Sequence, residues 1–209
     1  MQLIAHRGLY NSDIKENTLE AFLNAINNNY DGIELDIRYT KDKEIVVIHD
    51  SFINRTSDGK GKVSNYNYKE LKKYNFGSKK VKSKIPRLKD VLNNINNKII
   101  FIELKEKINS DDLKRVLDLN NSNDYYIFSF NKKYINDINF NVKKGLINYV
   151  FNSGNDINKY DFLLVLEDVL NDNILKHLNN KNIEVVIYNT RNNIKLKNKE
   201  SIAQLKYII

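Results

Sequence analysis

Short runs of apolar and β-branched residues recur along this chain with helix-like stretches between them. That alternation is the pattern of a parallel sheet whose strands are joined by crossover helices. Strands are predicted at Leu3–His6, Gly32–Arg38, Lys98–Lys105, Tyr125–Phe130, Leu146–Tyr149, Phe162–Leu166, Ile183–Tyr188 and Lys206–Ile209. Helices are predicted at Thr18–Asn27, Leu88–Asn94, Asp111–Leu119, Asp172–Leu178 and Lys199–Leu205. About eight strands in an α/β chain suggest a closed (β/α)8 TIM barrel at the small end of its size range. The first helix opens with Asn17 and carries Glu20 three residues on, the spacing of a capping box.

One further apolar run, Glu44–His49, breaks the alternation, because only Tyr39–Lys43 separates it from the strand before it. A parallel return needs roughly a dozen or more residues, so this run should fold back antiparallel as a hairpin. Such pairing returns His49 to the level of Glu34 and Asp36. The following segment, about residues 51–87, is polar and carries Gly59, Gly61 and Gly77 without strong periodicity. It reads as an insertion at the barrel mouth.

A length of 209 residues suits a single barrel domain, residues 1–209. With 41% hydrophobic and 29% charged residues the chain can bury a core, which excludes wholesale disorder. No run approaches the roughly 20 apolar residues of a membrane span, and the start MQLIAHRG lacks a leader pattern, so the expected compartment is the cytoplasm. The absence of cysteine excludes disulfides, thiolate metal sites and cysteine nucleophiles. Lys and Asn are dense throughout, which reads as compositional bias, and the run Lys79–Lys84 reads as a solvated loop. The net charge of +8 suits an anionic partner without choosing among nucleic acid, membrane and phosphorylated small molecules.

Three places carry candidate chemistry. His6 ends the first strand, with Arg7-Gly8 at the turn. Glu34 and Asp36 lie two apart, so a strand points both to one face. Glu103 and Lys105 repeat that spacing with an acid and a base. All lie toward the C-terminal ends of predicted strands, where barrel enzymes build their sites. Glu34, Asp36 and Glu103 would make an all-oxygen site of the kind Mg²⁺ or Ca²⁺ prefers. His6 and His49 are natural proton shuttles, and Arg7 and Lys105 supply charge for a phosphate. Together the parts describe phosphodiester cleavage.

The ordered pattern His6-Arg7-Gly8, Glu16-Asn17-Thr18, Glu34-x-Asp36, Val46-Val47-Ile48-His49-Asp50, Arg55-Thr56-Ser57-Asp58-Gly59-Lys60-Gly61 and Ile102-Glu103-Leu104-Lys105 resembles the glycerophosphodiester phosphodiesterase family. The resemblance is strong over Met1–Lys105 and weaker at Ser129-Phe130 and at Ile187-Tyr188-Asn189, where the family more often has a Trp. It implies a (β/α)8 barrel that hydrolyses glycerophosphodiesters to glycerol 3-phosphate and an alcohol. By position it implies that Glu34, Asp36 and Glu103 hold one divalent cation, Mg²⁺ or Ca²⁺. It further implies that His6 and His49 are the acid/base pair and that Arg7 and Lys105 contact phosphate. In the mechanism it implies, a glycerol hydroxyl attacks phosphorus, the alcohol leaves, and water opens a cyclic phosphate. The family usually continues past its last strand with a closing helix, so the C-terminal end here reads as abbreviated.

Other readings differ in substrate or in kind. A sphingomyelinase D-like or phosphatidylinositol-specific phospholipase C-like enzyme would share the paired histidines, but Arg55–Gly61 and Glu103-x-Lys105 favour the first reading. A catalytically silent barrel binding a polyanion would need an aromatic-interleaved basic stripe, which the sequence lacks, so no nucleic-acid partner is expected. His177, late in a predicted helix without acidic or glycine context, reads as structural. Arg55 and the glycines after it read as loop chemistry, Asp50 either orients His49 or caps the next turn, and Tyr188 reads as packing.

Overall fold

Alternation within each strand decides which side chains enter the barrel and which face the helices. The computed structural model describes residues 2–148, 157–188 and 206–209. Its strands are β1 (Gln2–His6), β2 (Gly32–Tyr39), β3 (Ile45–Val47), β4 (Ile99–Leu104), β5 (Asp124–Ser129), β6 (Lys143–Asn148), β7 (Phe162–Leu166), β8 (Glu184–Tyr188) and β9 (Lys206–Ile208). The parallel strands pair in the order β1-β9-β8-β7-β6-β5-β4-β2, and a parallel β1–β2 pairing closes the ring. The expected eight-stranded barrel is therefore present. The sixth strand begins at Lys143, three residues earlier than the pattern suggested, because polar Lys143 and Lys144 mask its start.

Two apolar clusters follow from that ring. Ile33, Leu35, Ile37, Ile100, Ile102 and Leu104 point outward into the layer covered by helices. Ile4, Phe101, Tyr126, Phe128, Phe162 and Leu164 fill the interior, so the barrel is packed rather than hollow. Phe101 stacks on Tyr126 at 4.5 Å between ring centroids and meets Phe162 edge-on at 5.6 Å. Gly32 is required on β2, since a Cβ there would stand 2.1 Å from the Ile99 carbonyl oxygen of β4.

The helices are α1 (Leu19–Asn27), α2 (Tyr68–Leu71), α3 (Leu88–Leu92), α4 (Ser110–Leu117), α5 (Lys132–Asn136) and α6 (Asp172–Asn179). The run Lys199–Leu205 and residue Tyr149 lie outside the described residues. α1 buries Ala21, Phe22 and Ala25 against the sheet. Its cap is Thr18, whose hydroxyl accepts from the Ala21 amide at 3.2 Å, and this corrects the Asn17–Glu20 capping box. Asn17 sits at φ +55°, outside cap geometry, whereas Thr18 has the extended backbone a cap requires.

β3 pairs antiparallel with β2 in the register Ile37↔Val47, as the short connection required. Residues 51–87 then fold over β3 rather than trailing away, and the Val47 amide donates to the Pro86 carbonyl at 2.9 Å. Val46, Ile48, Ile53, Val63, Leu71, Phe76 and Ile85 form a separate small core beneath this segment. The sequence pattern did not reveal that core, because its apolar residues are single and irregularly spaced.

Candidate active site

Register places the carboxylates together. His6 stands beside Glu34 across β1–β2, and Asp36 beside Glu103 across β2–β4, all on the inward face near the C-terminal ends. Glu34, Asp36 and Glu103 are buried, and one carboxylate oxygen from each lies within 4.8 Å of the others. Burial, then the charges of Asp36 and Glu103, holds Glu34 well above the usual carboxylate range. Burial, then the charge of Asp36, pushes Glu103 up to about 7. The Oδ1 of Asp36 is buried without a hydrogen bond, with Lys105 Nζ 3.7 Å away. A divalent cation would relieve all three strains at once, and a set of carboxylate oxygens is the donor chemistry for a hard one.

Cations and imidazoles surround that cluster. Lys105 donates to Glu103 Oε1 at 2.8 Å. Arg7, in the left-handed region at φ +56°, gives its amide to Glu34 at 3.0 Å and its Nη1 to Glu16 at 2.9 Å, with Nε 3.3 Å from Asp36. The following Gly8, at φ +80°, completes the turn. His6 Nε2 is 3.8 Å from Glu34 and 3.4 Å from the Tyr188 hydroxyl. Burial and then the Arg7 guanidinium push His6 down to about 4, so its ring is neutral near pH 7.

His49 is held from the other side. Its Nδ1 is 2.7 Å from Asp50. Hydrogen bonds from Arg55 hold the Asp50 carboxyl well below its usual range, so the ionised group accepts the Nδ1 proton and favours the tautomer whose acceptor nitrogen is Nε2. Arg55 also forks onto Glu16 with two contacts of 2.8 Å. One guanidinium thus links the carboxylate that holds Arg7 to the carboxylate that holds His49. The left-handed Asn17 completes the support by donating to Asp36 Oδ2 at 2.8 Å.

All seven predicted site residues come together: six of them line one pocket, and Asp36 completes the carboxylate cluster with Glu34 and Glu103. The rest of the lining is mostly apolar: Phe128, Phe130, Ile147, Leu164 and Ile208, with Tyr188. Tyr188 is therefore part of the pocket, edge-on to His6 at 5.1 Å, rather than a packing residue alone. Arg55 is likewise more than loop chemistry. Asn17, expected as part of a helix cap, Arg55, expected as loop chemistry, and Glu16, which stood only in the motif pattern, all support the site. His177 lies in the last turn of α6, away from the pocket.

The fold and site define a (β/α)8 barrel with a carboxylate cluster, two imidazoles and two cationic side chains at its C-terminal mouth. The chain belongs to the glycerophosphoryl diester phosphodiesterase family, whose model matches residues 6–208. A glycerophosphodiester phosphodiesterase of Caldanaerobacter subterraneus is 36% identical over 148 residues, covering 65% of this chain and 60% of that protein. One from Bacillus altitudinis is 40% identical over 114 residues, 51% of this chain and 46% of that one. The matches thus span between about half and three-fifths of these curated relatives. The crystal structure of a glycerophosphodiester phosphodiesterase from Thermotoga maritima superposes with a TM-score of 0.77 at 26% identity, covering 99% of this chain and 92% of that one.

Proposed function

We propose that this chain hydrolyses glycerophosphodiesters to glycerol 3-phosphate and an alcohol, with one divalent cation, Mg²⁺ or Ca²⁺, held by Glu34, Asp36 and Glu103. The observation that carries the reading is the convergence of three buried carboxylates with Arg7, Lys105 and two imidazoles in one pocket. When bound, the cation neutralises the cluster and polarises the phosphate. A phosphodiesterase from Oleispira antarctica, similar in fold with a TM-score of 0.82 at 21% identity over 90% of this chain and 83% of that one, has been solved with its product sn-glycerol-3-phosphate. That complex supports a small-molecule substrate here.

Arg7 and Lys105 grip the phosphate oxygens, and their contacts strengthen as negative charge builds on those oxygens in the transition state. His49 accepts a proton at Nε2, because Asp50 holds the proton on Nδ1. His6, whose ring Tyr188 positions, exchanges the second proton. The apolar part of the lining limits water around the reacting groups.

Release of glycerol 3-phosphate from glycerophosphocholine tests the reading. Turnover is expected with a divalent cation, and its loss after chelation is expected to reverse on adding Mg²⁺ or Ca²⁺. Undiminished turnover after exhaustive chelation overturns the cation. Failure to release glycerol 3-phosphate with either cation overturns the reaction.

A further inference from the structure

A chain-wide compositional bias would spread positive charge evenly, and here it is concentrated. Residues 51–87 hold eleven Lys and Arg against two Asp and Glu, a net of +9, so the other 172 residues of a chain with net +8 sum to −1. All nine lysines of the segment are exposed. They project from a packed scaffold, the small core of Ile53, Val63, Leu71, Phe76 and Ile85. That scaffold is fastened to the mouth of the pocket, since Arg55 joins it to Glu16 and Asp50. Lys80 adds a 3.1 Å contact to Asp13 in the loop after β1.

We propose that residues 51–87 form a docking face for an anionic lipid bilayer, which the barrel meets mouth-first. The charge complements anionic headgroups, and nothing acidic in the segment beyond Asp58 and Glu70 offsets it. An apolar ring stands among these charges: Phe52 is 44% exposed and bridges to Lys62, whose Nζ lies 5.6 Å from the ring centroid. Tyr10, 46% exposed, adds an amphipathic ring on the loop after β1. An aromatic ring beside an ammonium suits the boundary between headgroups and acyl chains. A single-stranded nucleic acid would instead need a succession of open aromatic faces along a basic groove, one for each stacked base. Here Tyr66 and Tyr74 pack on each other at 5.8 Å, and Tyr68 lies under Arg87 at 4.7 Å. The proposal rests on charge and exposure, not on the reading of the reaction, and its measurement is binding rather than turnover.

Co-sedimentation of the full chain with vesicles tests it. Binding is expected to vesicles carrying about one third phosphatidylglycerol in phosphatidylcholine, to weaken steeply with salt, and to be absent from pure phosphatidylcholine. Replacing Lys79, Lys80 and Lys82 together by Gln is expected to weaken binding by about 100-fold, at about fivefold per lysine near an anionic surface. The same exchange at Lys114, Lys176 and Lys181, exposed lysines outside the segment, is expected to leave binding within about threefold, with thermal melting confirming the fold of both variants. Equal loss in the two triple variants, equal binding to neutral vesicles, no binding to either vesicle, or tighter binding to single-stranded DNA than to anionic vesicles would each overturn the proposal.

Discussion

Arg55 bears on two site residues through two intermediaries. It forks onto Glu16, which holds Arg7, and onto Asp50, which sets the proton on His49 Nδ1. Removing a positioned acid or base usually costs about 10²–10⁴-fold in turnover, so His6→Ala and His49→Ala are each expected to fall in that range. His177→Ala, in the last turn of α6, is expected to remain close to the parent. Arg55→Ala should lie between, lowering kcat by about tenfold or more as His49 loses its fixed tautomer. Steady-state kinetics on glycerophosphocholine rank the four variants, and equal rates for His49→Ala and His177→Ala would remove the assignment of His49.

At the scale of elements, the site rests on the pairing of β2 with β4 and on the layer beneath. Phe101 occupies the same inward row as Glu103, one step closer to the barrel floor, and touches Tyr126, Phe128 and Phe162. Phe101→Ala leaves a cavity among those rings and is expected to cost about 3–5 kcal/mol. At roughly 2–4 °C per kcal/mol for a chain of this size, thermal melting should fall by about 10 °C. A change under about 2 °C would mean that the interior rings do not act as one packed layer. The hairpin of β2 and β3 was legible because five residues cannot bridge parallel strands. The small core under residues 51–87 was not, because its apolar residues meet only after the segment folds over β3.

The whole molecule carries the cost of its own site. Between its ordinary 4.5 and about 7, Glu103 retains in the fold a proton that the unfolded chain has released, so without a cation stability falls as pH rises through that window. Glu34 acts in the same direction. His6 acts oppositely: its value falls from 6.5 to about 4, so the unfolded chain takes up a proton first as pH drops and stability is lost on the acid side. A cation competes with the protons on Glu34 and Glu103 and removes their share of that dependence. The rise in Tm on adding saturating Mg²⁺ or Ca²⁺ is therefore expected to be larger at about pH 8 than at about pH 5, by on the order of 5 °C. Differential scanning calorimetry reads both, and a rise independent of pH would place the cation elsewhere.

The sequence by itself determined the class of fold, the hairpin and the seven residues that converge at the mouth. Strand periodicity is a local property, and alternation along β1, β2 and β4 places their chemistry on one face before any packing is known. Only the tertiary structure decided what surrounds those residues. Whether Asn17 caps a helix or supports Asp36, whether Tyr188 packs or meets His6, and whether Arg55 ends in solvent or in two carboxylates depends on partners 19, 182 and 39 positions away in the chain. No local pattern encodes those distances. The charge of the segment over the mouth was countable from the start, but its meaning depended on the fold that raised all nine lysines on one small core beside the pocket.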